Sequence, residues 1–184
     1  EVMTIVILFH KSGFRFFKYF YCHMIIPFWK SAFPKLLSYN RFIEIMPRCL
    51  QALSSFFHQV KGEDTGICII DSTKLVVCHN LRIKRHRVFK GLAGRGKSST
   101  GWFYGFKVHI VINNLGEIIN LKITSGSVHD VAVLESLTQE LKGILLGDKG
   151  YLSKAKTEAL AARGLRLLTP SRKNMKNKPI QTEE

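Results

Sequence analysis

Residues 103–112 read Phe-Tyr-Gly-Phe-Lys-Val-His-Ile-Val-Ile, and from residue 106 to residue 110 apolar and polar side chains alternate. This period of two is typical of a β-strand, with Phe106, Val108 and Ile110 on one face and Lys107 and His109 on the other. The turn-prone segment 113–116, Asn-Asn-Leu-Gly, follows directly. Residues 117–124 then have the composition of a returning strand. The stretch predicts a β-hairpin.

Further strands and helices flank this hairpin. Upstream, residues 66–70 form a compact apolar segment that runs into Asp71. Downstream, the pattern predicts a helix over 130–141 with Asp130 as N-cap, and a helix over 154–163 that ends at Gly164. Short apolar strands are predicted at 143–146 and 165–168. The order strand, hairpin, helix, strand, helix, strand predicts an α/β domain with a mixed sheet.

The first sixty residues differ from the remainder. They are rich in aromatic and aliphatic side chains at helical spacing, interrupted by three prolines, and Ser38 or Asn40 is a candidate helix cap. Core packing explains these aromatics better than a ligand site does. We therefore predict a helical N-terminal region over 1–60 and an α/β domain over 61–184.

The charge of the chain indicates a polyanionic partner. The 184 residues include 28 Lys and Arg against 13 Asp and Glu, a formal charge of +15, and 46% of them are hydrophobic. The chain can therefore bury a core, and nucleic acid or a membrane surface is its expected partner. No uncharged apolar run reaches the length of a membrane span. Four scattered cysteines without CxxC pairs suggest reduced thiols, so we expect a soluble, cytoplasmic protein without a membrane partner.

Residues 91–98, Gly-Leu-Ala-Gly-Arg-Gly-Lys-Ser, satisfy the P-loop pattern letter for letter. A P-loop works only between a buried strand and a helix, whose N-terminus meets the phosphates. Here a strongly basic segment precedes the match and a β pattern follows it. We therefore interpret the match as a basic loop and not as a nucleotide site.

Two stretches without acidic residues, 74–107 and 163–178, have the density of positive charge that DNA phosphates require. Solvated protein surface is the simpler explanation for one such stretch, but two of them accompany candidate acidic residues. Trp102, Phe103 and Tyr104 could stack on unpaired bases, although core packing is the better explanation for at least two of them. The candidate DNA contacts are Arg82, Lys84, Arg85, Arg87, Arg95, Lys97, Lys107, Arg172 and Lys173.

Two aspartates stand in matching positions. Asp71 follows the apolar strand 67–70, and Asp148 follows the apolar strand 144–146. Carboxylates at the ends of buried strands are well held and reach the edge where ligands bind. Either one alone would more often be a cap or an ion-pair partner. As a pair they predict a site for Mg²⁺ or Mn²⁺, which prefer oxygen ligands.

Several linked motifs resemble the DDE transposases of bacterial insertion sequences, and insertion-sequence family 982 in particular. They are 70–73 (Ile-Asp-Ser-Thr), 95–109 (from Arg-Gly-Lys-Ser to Lys-Val-His), 125–130 (Ser-Gly-Ser-Val-His-Asp), 147–151 (Gly-Asp-Lys-Gly-Tyr), 169–176 and 37–42. The resemblance implies a ribonuclease-H-like core that cuts and rejoins DNA with three carboxylates and Mg²⁺. It places Asp71 and Asp148 at the first two catalytic positions. It also implies DNA partners (element ends and target) and is compatible with a homo-oligomer.

This chain departs from that family at the third catalytic carboxylate. No acidic residue after the basic segment lies in a suitable helix; we interpret Glu184 as a coincidence of spacing and Glu158 as a surface residue. We therefore expect a chain truncated before its third carboxylate, and at its N-terminus too, and inactive or nearly so by itself. The alternative is a non-enzymatic, basic nucleic-acid-binding remnant.

Overall fold

The computed structural model describes residues 1–170 and divides the chain into two compact units. The first is Glu1–Val60, and the second begins at Lys61. Arg172, Lys173 and Glu184, for which the sequence analysis made predictions, lie outside the described residues. All four cysteines are free thiols. No helix within residues 1–170 combines the length and the apolar character needed to cross a bilayer.

The first unit is helical. Its core contains Phe20, Tyr21 and Phe42, and the Tyr21 hydroxyl donates to the Leu37 carbonyl at 2.6 Å. Ser38 caps its helix by accepting from the Arg41 amide, so this candidate cap is confirmed. The helices are α1 (Val2–Lys11), α2 (Phe17–Phe20), a π-helical turn (Tyr21–Ile25), α3 (Ile26–Phe28), α4 (Tyr39–Ile45), a 3₁₀ turn (Met46–Arg48) and α5 (Cys49–Val60).

The second unit is built on one six-stranded sheet. Its strands are β1 (Ile67–Cys78), β2 (Gly94–Ser98), β3 (Gly101–Asn113), β4 (Ile118–Ser125), β5 (Gly143–Gly147) and β6 (Leu165–Leu168), and its helices are α6 (Asp130–Leu137), α7 (Lys154–Ala161) and 3₁₀ turns at Asn80–Arg85 and Lys149–Tyr151. β3 pairs antiparallel with β1, β2 and β4, and β5 pairs parallel with β1 and β6. This mixed α/β fold with flanking helices confirms the expected fold class and is consistent with a ribonuclease-H-like core.

One face of the sheet carries the core. Cys68, Ile70, Val111, Leu145 and Leu165 are buried there together with the apolar residues of α6 and α7. The opposite face keeps several apolar side chains exposed among the described residues, including Ile67, Ile69, Leu121, Ile123 and Leu146. Burial therefore divides the sheet by strand parity.

The structure corrects the expectation for the central strand. His109, which the alternation assigned with Lys107 to the polar face of the strand, is fully buried and lies on the core face of the sheet. Phe106, Val108 and Ile110 occupy the other face and are only half-buried. The parity of the strand was predicted correctly, but a polar side chain occupies a core position.

Two local predictions were wrong. β1 does not end at Ile70; it continues to Cys78, because its last residues pair with the long strand β3. Asp130 is not the N-cap of α6; His129 holds that position, and Asp130 is the first helical residue. Its carboxylate forms an ion pair with Lys107.

The Asp64 carboxylate joins the entrances of β1 and β5. Oδ1 accepts from the Gly66 amide and Oδ2 accepts from the Lys142 amide, both at 2.9 Å. Burial raises the pKa of this carboxyl, but the two backbone hydrogen bonds outweigh that effect and hold the pKa below its usual value. Asp64 therefore ties together the two strands that lead to Asp71 and Asp148.

We predict that Asp64→Ala lowers the free energy of unfolding by about 1 kcal/mol near neutral pH, because two backbone donors lose an ionised acceptor at a partly exposed site. Since the folded pKa is lowered, this contribution is present above the unfolded value of 3.8 and disappears as the pH falls through the folded one. Urea unfolding of both proteins at neutral pH and at about pH 3 measures it. A difference between the two proteins that does not become smaller at the acidic pH would contradict this assignment.

Candidate active site

The two predicted aspartates meet through strand register. β1 and β5 run parallel, and the last pair in their register is Ile70 opposite Gly147. Asp71 and Asp148 are the next residues on each side. Since neighbouring strands lie about 4.8 Å apart, the two residues are adjacent across the sheet. Both line one cavity of about 310 Å³.

Neither aspartate is neutralised by a cation within residues 1–170. The Asp71 Oδ1 atom accepts from the Ser72 amide at 2.7 Å, and neither carboxylate has an ion-pair partner in that part of the chain. Two carboxylates that line one cavity without a counter-cation match the donor preference of a hard divalent cation. Within the same residues, however, no group of three or more His, Cys, Asp or Glu side chains is placed to hold a metal ion. The described chain therefore supplies a pair of oxygen donors.

A third carboxylate lines the cavity but already has a partner. Asp130 Oδ1 lies 2.9 Å from the Lys107 ammonium, which also donates to the Val128 carbonyl at 2.9 Å. The two side chains are 23% and 14% exposed, so the ion pair is largely shielded from water. Lys107, predicted as a DNA contact, is thus held inside the wall of the cavity.

A buried histidine, His109, lies beside that ion pair. The His109 Nε2 atom lies 2.9 Å from Thr124 Oγ1, while Nδ1 lies 3.9 Å from Asp130 Oδ1 and has no hydrogen-bond partner among the described residues. Burial lowers the pKa of His109, and although the Asp130 charge opposes that effect, the pKa remains below its usual value. His109 is therefore neutral at pH 7.

Tyr151 is a cavity residue that the sequence did not single out, although it ends the motif 147–151. Its hydroxyl is buried without a geometric hydrogen-bond partner in the described chain. Burial raises its pKa strongly, and the charges of Asp130, Asp71 and Asp148 raise it further. The phenol stays protonated beside three carboxylates, so it can act only as a neutral donor or acceptor.

The rest of the cavity wall is basic and hydroxylated. Lys74, Lys97, Ser98 and Thr100 line it, and the Lys74 ammonium donates to Ser98 Oγ at 3.4 Å and to Thr100 Oγ1. Of these four residues, sequence analysis identified only Lys97 as a candidate contact. The cavity thus combines carboxylates with ammonium and hydroxyl groups.

Residues 91–98, which match the P-loop pattern, form a turn and strand β2, so the prediction of a basic loop is wrong for 94–98. β2 turns at 99–100 and returns as β3, with no helix after the lysine. A Cβ atom at Gly96 would lie 2.2 Å from the Gly126 carbonyl oxygen, and one at Gly94 would lie 2.1 Å from Ser125 Oγ. These glycines permit close packing of the hairpin.

The other predicted DNA contacts lie elsewhere. Arg82, Arg85 and Arg87 line a second cavity of about 440 Å³ together with His86. Lys84 is exposed on the same 3₁₀ turn as Arg82. The Arg95 guanidinium lies 5.3 Å from the centre of the exposed Trp102 ring, so Trp102 is not a core residue.

The second unit is similar to proteins of known family. Residues 61–184 match the family model described as a transposase DDE domain. No curated protein matches the chain. Among solved structures, the chain is similar to the piggyBac transposase in a cryo-EM synaptic complex with hairpin DNA, with 14% identity and a TM-score of 0.48. That similarity covers 71% of this chain and 28% of the transposase chain.

We predict that Asp130→Asn destabilises the protein by about 2 kcal/mol, because it leaves the Lys107 ammonium shielded from water without its counter-charge. Adding Lys107→Met should recover part of that loss. Urea unfolding of the two single variants and the double variant measures the coupling between the residues. Glu135→Gln is the matched control, since it removes the exposed ion pair with Lys156 and should change stability far less. Equal effects of Asp130→Asn and Glu135→Gln would contradict a structural role for the buried pair.

Proposed function

Because the chain belongs to the family of transposase DDE domains, we propose that it acts on DNA as a transposase, with Asp71 and Asp148 holding Mg²⁺ or Mn²⁺ for phosphodiester cleavage and strand transfer. The observation that carries this proposal is the parallel register of β1 and β5, which puts both carboxylates into one cavity beside lysines. The chain spans 28% of the length of the similar transposase, so the activity of a whole protein belongs to the proposal.

The metal would supply chemistry that the side chains lack. A bound divalent ion polarises phosphoryl oxygens and favours ionisation of a water or hydroxyl nucleophile near neutral pH. Asp71 and Asp148 fit that role by donor type and by the absence of an ion-pair partner within residues 1–170. Asp130 would remain with Lys107 as a fixed part of the wall.

The remaining side chains would bind and orient DNA. The proposed backbone contacts are Arg82, Lys84, Arg85, Arg87, Arg95 and Lys97, with Arg172 and Lys173 from the residues beyond 170. Neutral His109, which is buried beside Asp130, and the protonated Tyr151 in the cavity wall would add no further charge next to the ion pair. We also propose that the chain is a bacterial, cytoplasmic protein of an insertion sequence similar to insertion-sequence family 982. Its proposed partners are element ends and target DNA, and its proposed assembly is a homo-oligomer.

We predict that the chain binds Mn²⁺ or Mg²⁺ weakly and that Asp71→Asn/Asp148→Asn abolishes this binding, because two oxygen donors of one site are removed. Isothermal titration calorimetry with each metal measures it. The matched control is Glu140→Gln/Glu158→Gln, which removes the same charge from exposed positions of the second unit. The control should bind like the parent chain.

Equal, negligible heats in all three proteins would contradict the metal site. The alternative, a basic nucleic-acid-binding remnant, would then account for the chain. Its signature is DNA affinity that falls steeply with salt and is not reduced by Asp71→Asn/Asp148→Asn.

The inactivity of the chain by itself stays a prediction. Within residues 1–170 the cavity has only two carboxylates without an ion-pair partner, since Asp130 is paired with Lys107. We expect no detectable nicking of supercoiled plasmid DNA with Mg²⁺ or Mn²⁺, because loss of one metal ligand typically removes most of the activity. Gel electrophoresis of the plasmid after incubation measures this. Nicking that disappears in Asp71→Asn would overturn the prediction while supporting the assignment of the aspartate.

A further inference from the structure

Two lysines face each other across the strands that form the cavity. Lys74 on β1 is paired in register with Lys107 on β3, so two positive side chains project from the same face of the sheet. Like charges at directly opposed positions of an antiparallel pair destabilise it unless they are compensated. Lys107 is compensated by Asp130 at 2.9 Å, whereas Lys74 has no carboxylate partner within residues 1–170. The positive charge of Lys74 is therefore uncompensated among the described residues.

Hydroxyl groups hold the uncompensated lysine in place. The Lys74 ammonium donates to Ser98 Oγ and Thr100 Oγ1, and these two hydroxyl oxygens lie 3.1 Å apart. Ser98 Oγ also lies 3.2 Å from the Gly101 carbonyl oxygen, which ties the group to the β2–β3 turn. An ammonium has three N–H donors, and two of them are used. One donor and the full charge remain for a ligand.

We propose that Lys74, Ser98 and Thr100 form a binding site for a backbone phosphate of DNA inside the cavity that also contains Asp71 and Asp148. This inference rests on the proposed function, because it names the group that holds the phosphodiester beside the two aspartates. A phosphate supplies the missing negative charge and several acceptor oxygens, which suit an ammonium and hydroxyl donors. Lys97 lines the same cavity and adds a second positive charge.

The size of the cavity agrees with this ligand. Its volume of about 310 Å³ is at the lower end of the range of small-molecule sites, which accommodates a phosphodiester group. The hydroxyls of the turn would exchange their contact with Lys74 for contact with phosphate oxygens without a change in the strands. The hairpin that resembles a P-loop would then bind phosphate through side chains on a turn and not through backbone amides at a helix.

Lys74→Gln in the full chain tests the site, with Lys122→Gln as the matched control. Lys122 is also a strand lysine on the same face, its ammonium donates to the Ser136 hydroxyl at 2.8 Å, and it is absent from the cavity wall. Fluorescence anisotropy with a short labelled DNA duplex, without divalent metal, gives the dissociation constant over a range of salt concentrations. We expect Lys74→Gln to weaken binding about fivefold and to reduce the salt slope by about 1, as loss of one phosphate contact does, and Lys122→Gln to change the slope by much less.

Two further variants make the result specific. Lys74→Arg keeps the charge and should restore most of the affinity, and Ser98→Ala/Thr100→Ala should weaken binding while the net charge is unchanged. Equal effects of Lys74→Gln and Lys122→Gln, or unchanged binding in the hydroxyl variant, would overturn the proposal. Mn²⁺ calorimetry on the parent chain and on Lys74→Gln separates the two hypotheses. If Lys74→Gln retains metal binding and its DNA affinity is unchanged, the phosphate site alone is rejected. If the parent chain does not bind metal, the proposed metal-dependent function is rejected, whereas the phosphate site is still tested by DNA affinity.

Discussion

The parallel pairing of β1 with β5 is the constraint on which the site depends. β5 begins close to β1: the Ile144 amide donates to the Gly66 carbonyl at 2.8 Å, and a Cβ atom at Gly143 would lie 2.2 Å from that oxygen. Gly143 also has a φ of +85°, which favours glycine. These contacts fix the register of the two strands. A shift of that register by one residue would move Asp148 away from Asp71 and exchange the buried and exposed faces of β5.

The cavity is organised by where charge is compensated. One acidic and one basic side chain, Asp130 and Lys107, neutralise each other in a shielded position. Four other charged side chains line the same cavity and have no ion-pair partner in the described chain: Asp71, Asp148, Lys74 and Lys97. Charged groups that lack partners in a preformed cavity are available for ligands of opposite charge, and a cation together with a phosphodiester would satisfy both signs at once.

The sequence predicted the parts of the fold that local patterns control. The hairpin of β3 and β4, the two helices that follow, and the last strand at 165–168 are all present, because alternation and helical spacing are local properties. The length of β1 was not predictable from 67–78, because its second half is stabilised by pairing with β3. The sequence also favoured Asp130 as a helix cap and placed His109 on the polar face of its strand. Both outcomes depend on Lys107 and Thr124, which only the folded sheet brings near. The two aspartates were predicted as a pair, and the register places them side by side, while their catalytic role remains a proposal.

The glycines of the β2–β3 hairpin have a consequence for how such sequences are classified. In residues 91–98 the pattern Gly-x-x-x-x-Gly-Lys-Ser takes its two glycines from Gly91, which has a φ of +85°, and from Gly96, where a Cβ atom would lie 2.2 Å from the Gly126 carbonyl oxygen. The backbone conformation of a turn and the close packing of a strand therefore reproduce, letter for letter, the signature of an unrelated group of nucleotide-hydrolysing enzymes. A pattern search that ignores the flanking secondary structure would place this chain among them, and so would any automated assignment that inherits its result.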